Sequence, residues 1–266
     1  MTLLAIGGAI DYSGSLPGEF LRLCGSPAAR VVILPTASEL EDAGEGMRAA
    51  LTTAGLTTPA TILPLRQRAD ASNQDICAAL EEADGIFITG GDQLRLTAAV
   101  LGTPAEAALQ RVARRGCVIA GTSAGAAALG QLMIARGTQG QAPRYGSAVL
   151  TPGLNLEPRI LFDQHFNQRN RLGRLIFSVT TNPQLIGVGV DENTAAVLHE
   201  DTLEVRGEGA VTIVDASRLT AANLAQLKRR DLLAVSGITL HVLTRGSRFH
   251  LRQRTAEIPD LIPGGA

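Results

Sequence analysis

From residue 3 to residue 121 the chain returns repeatedly to one device: a short, nearly continuous apolar run that closes on glycine, proline or a small polar residue. Residues 3–8, 30–35, 61–65 and 85–89, and the run Cys117-Val118-Ile119-Ala120, all have this form. Strands with no polar alternate face need cover on both sides, and the intervals between them supply it. Residues 39–55, 73–83, 94–101 and 103–115 carry helical patterns, with Ile76, Ala79, Leu80 and Ala83 on one face and Gly55 as a stop signal. This βαβα alternation predicts an α/β fold whose mostly parallel sheet is sandwiched by helices. Ligands of such sheets bind beyond the carboxyl ends of the strands.

The second half is less regular. Residues 137–153 read as loop-rich, 154–162 lead into a polar stretch at 163–174, and 185–190 read as a buried strand. C-terminal β segments follow near 203–205 and 210–214, then a helix around 219–228 and a strand pair near 238–243 and 249–253. The 266 residues carry no repeat and no linker, which predicts one domain over 1–266 with a loosely ordered Pro/Gly-rich tail at 258–266. A formal net charge of −1 gives no field for nucleic acid or an anionic membrane surface. Cys24, Cys77 and Cys117 are scattered through apolar or helical contexts and read as reduced thiols. With no leader pattern and no run near the ~20 residues of a membrane span, the expected location is cytoplasmic. His165, His199, His241 and His250 lie too far apart for zinc-ligand spacing, so no metal or cofactor is expected.

The chemistry starts at Gly121-Thr122-Ser123-Ala124-Gly125, a Gly-x-Ser-x-Gly turn between an apolar strand and an alanine-rich helical segment. A strand-to-helix elbow of this kind holds a serine hydroxyl clear of the sheet. The turn at Gly90-Gly91-Asp92-Gln93 also follows a strand, so it faces the same cleft. Oxyanion donors are expected from Ala124 N–H and from the glycine turn, with Gly91 favoured, and Gln93 projects from the same loop. A serine nucleophile needs a base, and the base an orienting acceptor. His165 is the candidate base, because the apolar run Ile160-Leu161-Phe162 ends abruptly in Asp163-Gln164-His165. The acid falls at Asp191-Glu192, after the strand Val188-Gly189-Val190. Consecutive residues on an extended chain face opposite ways, so only one of the two can serve, and spacing does not choose. The order serine, histidine, acid departs from the serine, acid, histidine order of α/β-hydrolases. Arg169, Arg171 and Arg174 follow the base closely, and guanidinium forks next to a nucleophile suit an acidic substrate.

Four motifs in this order, Thr-Gly-Gly-Asp-Gln, Gly-Thr-Ser-Ala-Gly-Ala, Asp-Gln-His-Phe-x-Gln-Arg-x-Arg-Leu-Gly-Arg and Gly-x-Asp-Glu-Asn-Thr-Ala, resemble the cyanophycinases. These belong to a serine peptidase family that also contains the aspartyl dipeptidases, with a fold similar to class I glutamine amidotransferases. The resemblance spans roughly residues 3 to 215. It implies a serine-type exopeptidase with Ser123 as nucleophile, His165 as base and Glu192 as acid, and substrate contacts from Gln93, Asp163, Gln164, Arg169, Arg171 and Arg174. The substrate it implies is cyanophycin, a poly-aspartate backbone with arginine on each β-carboxyl, cut at backbone α-peptide bonds to β-Asp-Arg dipeptides. It further implies a homodimer that acts on such β-aspartyl-arginine peptides without metal or cofactor. Asn170 stands where these proteins more often have glycine.

Overall fold

A computed structural model describes residues 1–259, so most of the tail expected at 258–266 lies outside the described residues. Two sheets carry the architecture. The larger has nine strands in the order β17-β16-β11-β10-β1-β5-β4-β2-β3. Its strands are β1 (Thr2–Ile6), β2 (Val31–Leu34), β3 (Thr61–Ile62), β4 (Gly85–Ile88), β5 (Val118–Thr122), β10 (Thr194–His199), β11 (Thr202–Gly207), β16 (Arg248–His250) and β17 (Thr255–Glu257). The smaller sheet orders β15 (Thr239–Leu243), β12 (Val211–Asp215), β9 (Ile186–Val190) and β8 (Ile160–Gln164).

Only part of the large sheet is parallel, which corrects the expectation of a mostly parallel one. β1, β5, β4, β2 and β3 run parallel, whereas β10, β11, β16 and β17 continue from β1 in antiparallel steps. The cause lies in the connections. The parallel strands are joined through helices, while β10 and β11 are joined by the turn at Glu200-Asp201, far too short for a crossover. β1 is therefore the seam between the two halves, with Ile6 facing Thr122 of β5 on one side and Ala195 of β10 on the other.

Both faces of the parallel half are buried, as the continuous apolar runs require. Leu3, Ala5, Val32, Leu34, Ile86, Ile88 and Ile119 enter one core; Leu4, Ile6, Val31, Ile33, Phe87, Val118 and Ala120 enter the other. The second face is covered by α1 (Ser15–Leu23) and α2 (Glu45–Thr53) through Leu16, Phe20, Met47 and Leu51. The first is covered by α3 (Gln74–Glu82), α4 (Gln93–Val100) and α5 (Pro104–Arg115), and by Phe162 and Val188 of the smaller sheet. Each such Leu, Ile or Phe contributes about 1.5–3 kcal/mol by leaving water. α1 escapes the sequence pattern because it contains Pro17 and Gly18; Pro17 is tolerated in the first turn, where its missing N–H has no helical partner. α2 starts only after Gly44, whose φ of 101° breaks the longer helix expected from residue 39.

Three further expectations change. The stretch at 137–153 is framed by a hairpin of β6 (Leu132–Gly137) and β7 (Ala148–Pro152), with a register shift between Ile134 and Arg136 that blurs its alternation. The helix expected around 219–228 is a single 3-10 turn, Leu224–Gln226, beside the short pair β13 (Ala221–Ala222) and β14 (Val235–Ser236); it has no buried residue to hold a longer helix down. Residues 238–243 and 249–253 do not pair with each other. β15 closes on β12 and β16 on β11, because each of those edges needs a partner. The three cysteines are free, and burial pushes the Cys24 and Cys117 thiols up to about 12. Among the described residues no helix is long and apolar enough to cross a membrane.

Candidate active site

The carbonyls at and just beyond the end of β1 gather three segments from distant parts of the chain. Ile6 O accepts from Ser123 N at 3.0 Å, Gly7 O from His165 N at 2.7 Å, and Gly8 O from Asn193 N at 2.9 Å. Ser123 follows β5, the neighbour of β1. His165 follows β8 and Glu192 follows β9, and these two are parallel neighbours in register at Gln164 and Val190. The candidate base and acid therefore leave adjacent strand ends at the same level, and the candidate nucleophile meets them from the other sheet.

Ser123 has φ 51° and ψ −110°, a sharp turn outside the regular regions. A Cβ on Gly121 would lie 2.4 Å from Gly125 C, and one on Gly125 2.5 Å from Ile88 O, so the elbow closes only with both glycines. The alanine-rich helix beyond it is one turn, α6 (Ala124–Ala127), with little macrodipole. What the turn provides is an open amide. Neither Ala124 N–H nor Gly91 N–H donates to a protein acceptor among the described residues, while Asp92 N–H is taken by Ala37 O at 2.8 Å. Gly90 brings that second loop against the nucleophile: a Cβ there would sit 3.3 Å from Ser123 Cβ.

His165 Nε2 lies 2.9 Å from Ser123 Oγ, and Nδ1 lies 2.6 Å from Glu192 Oε1. With the proton on Nδ1 donated to the carboxylate, Nε2 is free to accept the serine hydroxyl. Burial is the main cause that lowers the His165 pKa, opposed by Glu192 and assisted by the charges of Arg169 and Arg171. The ring is thus held neutral, as a base must be. The alternation along the strand end now separates the two acids. Asp191 points inward and accepts from Asn167 N at 3.0 Å, Asn167 Nδ2 at 2.9 Å and Ala210 N at 3.1 Å, leaving Glu192 to face the ring.

The arginine run splits. Arg174 Nε donates to Asp163 Oδ2 at 2.6 Å and its Nη2 to Oδ1, and Arg171 Nη1 donates to the same Oδ1 at 3.3 Å and to Gln164 O. All three side chains are buried, and Asp163, Arg171 and Arg174 face one another. Desolvation pushes the Arg171 guanidinium down to about 10. Two cations on one carboxylate leave an excess of positive charge at the end of β8. Arg171 Nε and Gln164 Oε1 have no partner there among the described residues. Arg169 is exposed, as is Asn170, whose φ of 49° is a left-handed position suited to glycine or asparagine. Gln93 donates through Nε2 to Ile134 O at 2.9 Å and Ala135 O at 3.1 Å, which ties its amide nitrogen to β6.

Two residues that the sequence reading left unassigned join the site. Gln168 Oε1 accepts from Glu192 N at 3.2 Å and fixes the acid's backbone. Gly8, at φ +96°, lies beneath the base: a Cβ there would fall 2.3 Å from His165 Cε1 and 2.4 Å from Nε2. The only sequence signal for Gly8 was the glycine pair that closes the first strand.

A Gly-x-Ser-x-Gly elbow with serine, histidine and glutamate in hydrogen-bond contact has the parts of an acyl-transfer hydrolase. The chain belongs to peptidase family S51, whose model matches residues 3–206. Among curated relatives it is 40% identical over 257 residues to the cyanophycinase of Trichormus variabilis, covering 95% of this chain and 86% of that one. It is 35% identical over 254 residues to that of Geminocystis herdmanii, covering 94% and 93%. Of solved structures, a peptidase from an acI-B1 actinobacterium shares the fold with a TM-score of 0.67 at 22% identity, covering 94% of this chain and 96% of that one.

Proposed function

We propose that the protein is a cyanophycinase, a serine peptidase that hydrolyses the poly-aspartate backbone of cyanophycin to β-Asp-Arg dipeptides. The observation that carries the reading is the unbroken line Ser123 Oγ, His165 Nε2, His165 Nδ1, Glu192 Oε1 at 2.9 and 2.6 Å. In this reading His165 takes the proton as Ser123 Oγ attacks a backbone carbonyl, and Glu192 stabilises the imidazolium that forms. Gly91 and Ala124 N–H groups receive the developing oxyanion. The imidazolium returns its proton to the leaving amine, the C–N bond breaks, and water then hydrolyses the acyl-enzyme with His165 again as base.

The excess positive charge of the Asp163, Arg171 and Arg174 group favours an acyl segment rich in carboxylate. Unpartnered Arg171 Nε and Gln164 Oε1 supply a donor and an acceptor for it, and exposed Arg169 meets a carboxylate directly. Gln93 keeps its amide oxygen for the substrate main chain. We read the chain as one peptidase domain whose parallel half is akin to class I glutamine amidotransferases, and the enzyme as a cytoplasmic homodimer. The test is incubation with purified cyanophycin and mass analysis of the products. Release of β-Asp-Arg by the native enzyme and its loss in Ser123→Ala are expected. Dipeptide release that persists in Ser123→Ala refutes the serine mechanism, and no release by the native enzyme refutes the substrate.

A further inference from the structure

A second cationic feature lies apart from the serine. The residues that continue β6 and precede β7 fold against the loop after the 3-10 turn and enclose a cavity of about 270 Å³ lined by Thr138, Gln139, Arg144, Ser147, Arg229 and Arg230, among others. Backbone bonds zip the two loops together: Tyr145 N donates to Asp231 O and Arg230 N to Tyr145 O at 3.0 Å, and Leu233 N to Pro143 O at 2.9 Å. Arg144 Nη1 donates to Arg230 O at 2.9 Å, which fixes one guanidinium at the rim. Unlike Arg171 and Arg174, none of Arg144, Arg229 and Arg230 is paired with a carboxylate among the described residues; nearby Asp231 is turned to Lys228 N at 2.8 Å. Ser147 is 5% exposed, and its buried Oγ has no hydrogen-bond partner among the described residues. Arg144, Arg229 and Arg230 are exposed and line one pocket without a carboxylate partner among the described residues, an arrangement that suits a carboxylate ligand.

The pocket is also coupled to the candidate active site. Gln93 holds β6 at Ile134 and Ala135, and Gly137 abuts Arg174: a Cβ on Gly137 would lie 3.0 Å from Arg174 Cδ. Gly140 N donates to Asn170 O at 2.7 Å, and Gly173 N to Gly140 O at 3.0 Å. From Ala135 in β6 to Thr138 just past its end is a path of about 10 Å. We propose that this pocket is a carboxylate subsite for the peptide that extends away from Ser123. The inference rests on the peptidase reading above, and its ligand is a carboxylate of the polymer chain or of the released dipeptide. The test measures Kd for poly-L-aspartate and for β-Asp-Arg on otherwise intact Ser123→Ala protein, with Arg229→Gln/Arg230→Gln and, separately, Arg144→Gln added. Poly-L-aspartate is expected to bind about tenfold or more weakly to either variant, the loss of a charge-assisted contact. The dipeptide arm tells whether product shares the site. If neither ligand loses affinity in either variant, or if poly-L-aspartate does not bind the parent protein, the subsite is refuted. Failure of the native enzyme to cut cyanophycin refutes the proposed function and leaves the binding result readable.

Discussion

Gly8→Ala isolates the placement of the base from the presence of the base. The new methyl would begin 2.3 Å from His165 Cε1 and 2.4 Å from Nε2. Carbon atoms settle near 3.5 Å, so the ring must retreat by about 1.2 Å. The backbone beneath cannot yield instead, because Gly7 O is held by His165 N and Gly8 O by Asn193 N. A displacement of that size disturbs the 2.9 Å contact between Nε2 and Ser123 Oγ. Misplacement on this scale costs about 100-fold in kcat. The positive φ adds about 1–2 kcal/mol of strain, which lowers Tm by about 2–8 °C for a chain of this size. Gly55→Ala is the matched control: its φ is +106° and nothing lies within 4 Å of the added methyl. It should carry the positive-φ strain without the clash and keep its activity. Dipeptide release and thermal unfolding of both variants make the assay. Gly8→Ala within about twofold of Gly55→Ala in kcat would refute the reasoning.

The neighbouring acids should divide cleanly. Glu192→Gln is expected to reduce kcat by about 10⁴-fold with little change in Tm. Asp191→Asn should lower stability by about 1–3 kcal/mol, read by denaturant unfolding, while kcat changes much less, because its three acceptor contacts are structural. The opposite pattern would reassign the acid. In a pH–rate profile the active form is the neutral imidazole, so kcat/KM should rise with pH through an apparent pKa below about 6.5 and be level at pH 7. An inflection above pH 7 would contradict a base desolvated by burial. Arg169→Ala should move the inflection upward, since a cation that disfavours imidazolium is removed.

The parallel half of the fold was legible because burial on both faces writes an unbroken apolar run, a signal that survives without knowledge of neighbours. The antiparallel half was not. Whether Arg248–His250 pairs with Thr239–Leu243 or with β11 depends on which edge is vacant in space, and local pattern is silent on that. Within the site, Ser123 and His165 were marked by polar residues that interrupt apolar strands. Glu192 was preferred to Asp191 by resemblance alone; the contacts of Asp191 with Asn167 and Ala210 depend on segments far apart in the chain, which local sequence does not show. The inward turn of Arg171 and Arg174 onto Asp163 was invisible, because a row of arginines looks alike whether it faces solvent or a buried carboxylate. The contribution of Gly8 was equally hidden, as a missing side chain leaves no mark until the ring above it is placed.

The three carbonyls at and just beyond the end of β1 have a consequence for how the enzyme comes into being. They belong to residues 6, 7 and 8, and their donors to residues 123, 165 and 193. Loop closures of this length are entropically late and slow relative to helix and hairpin formation. A growing chain can complete its early βα units while the peptidase stays latent, because the template strand waits for partners not yet synthesised. Recovery of hydrolysis on refolding should accordingly lag recovery of helix. The order of residues along the chain delays assembly of the candidate site until the fold is nearly complete.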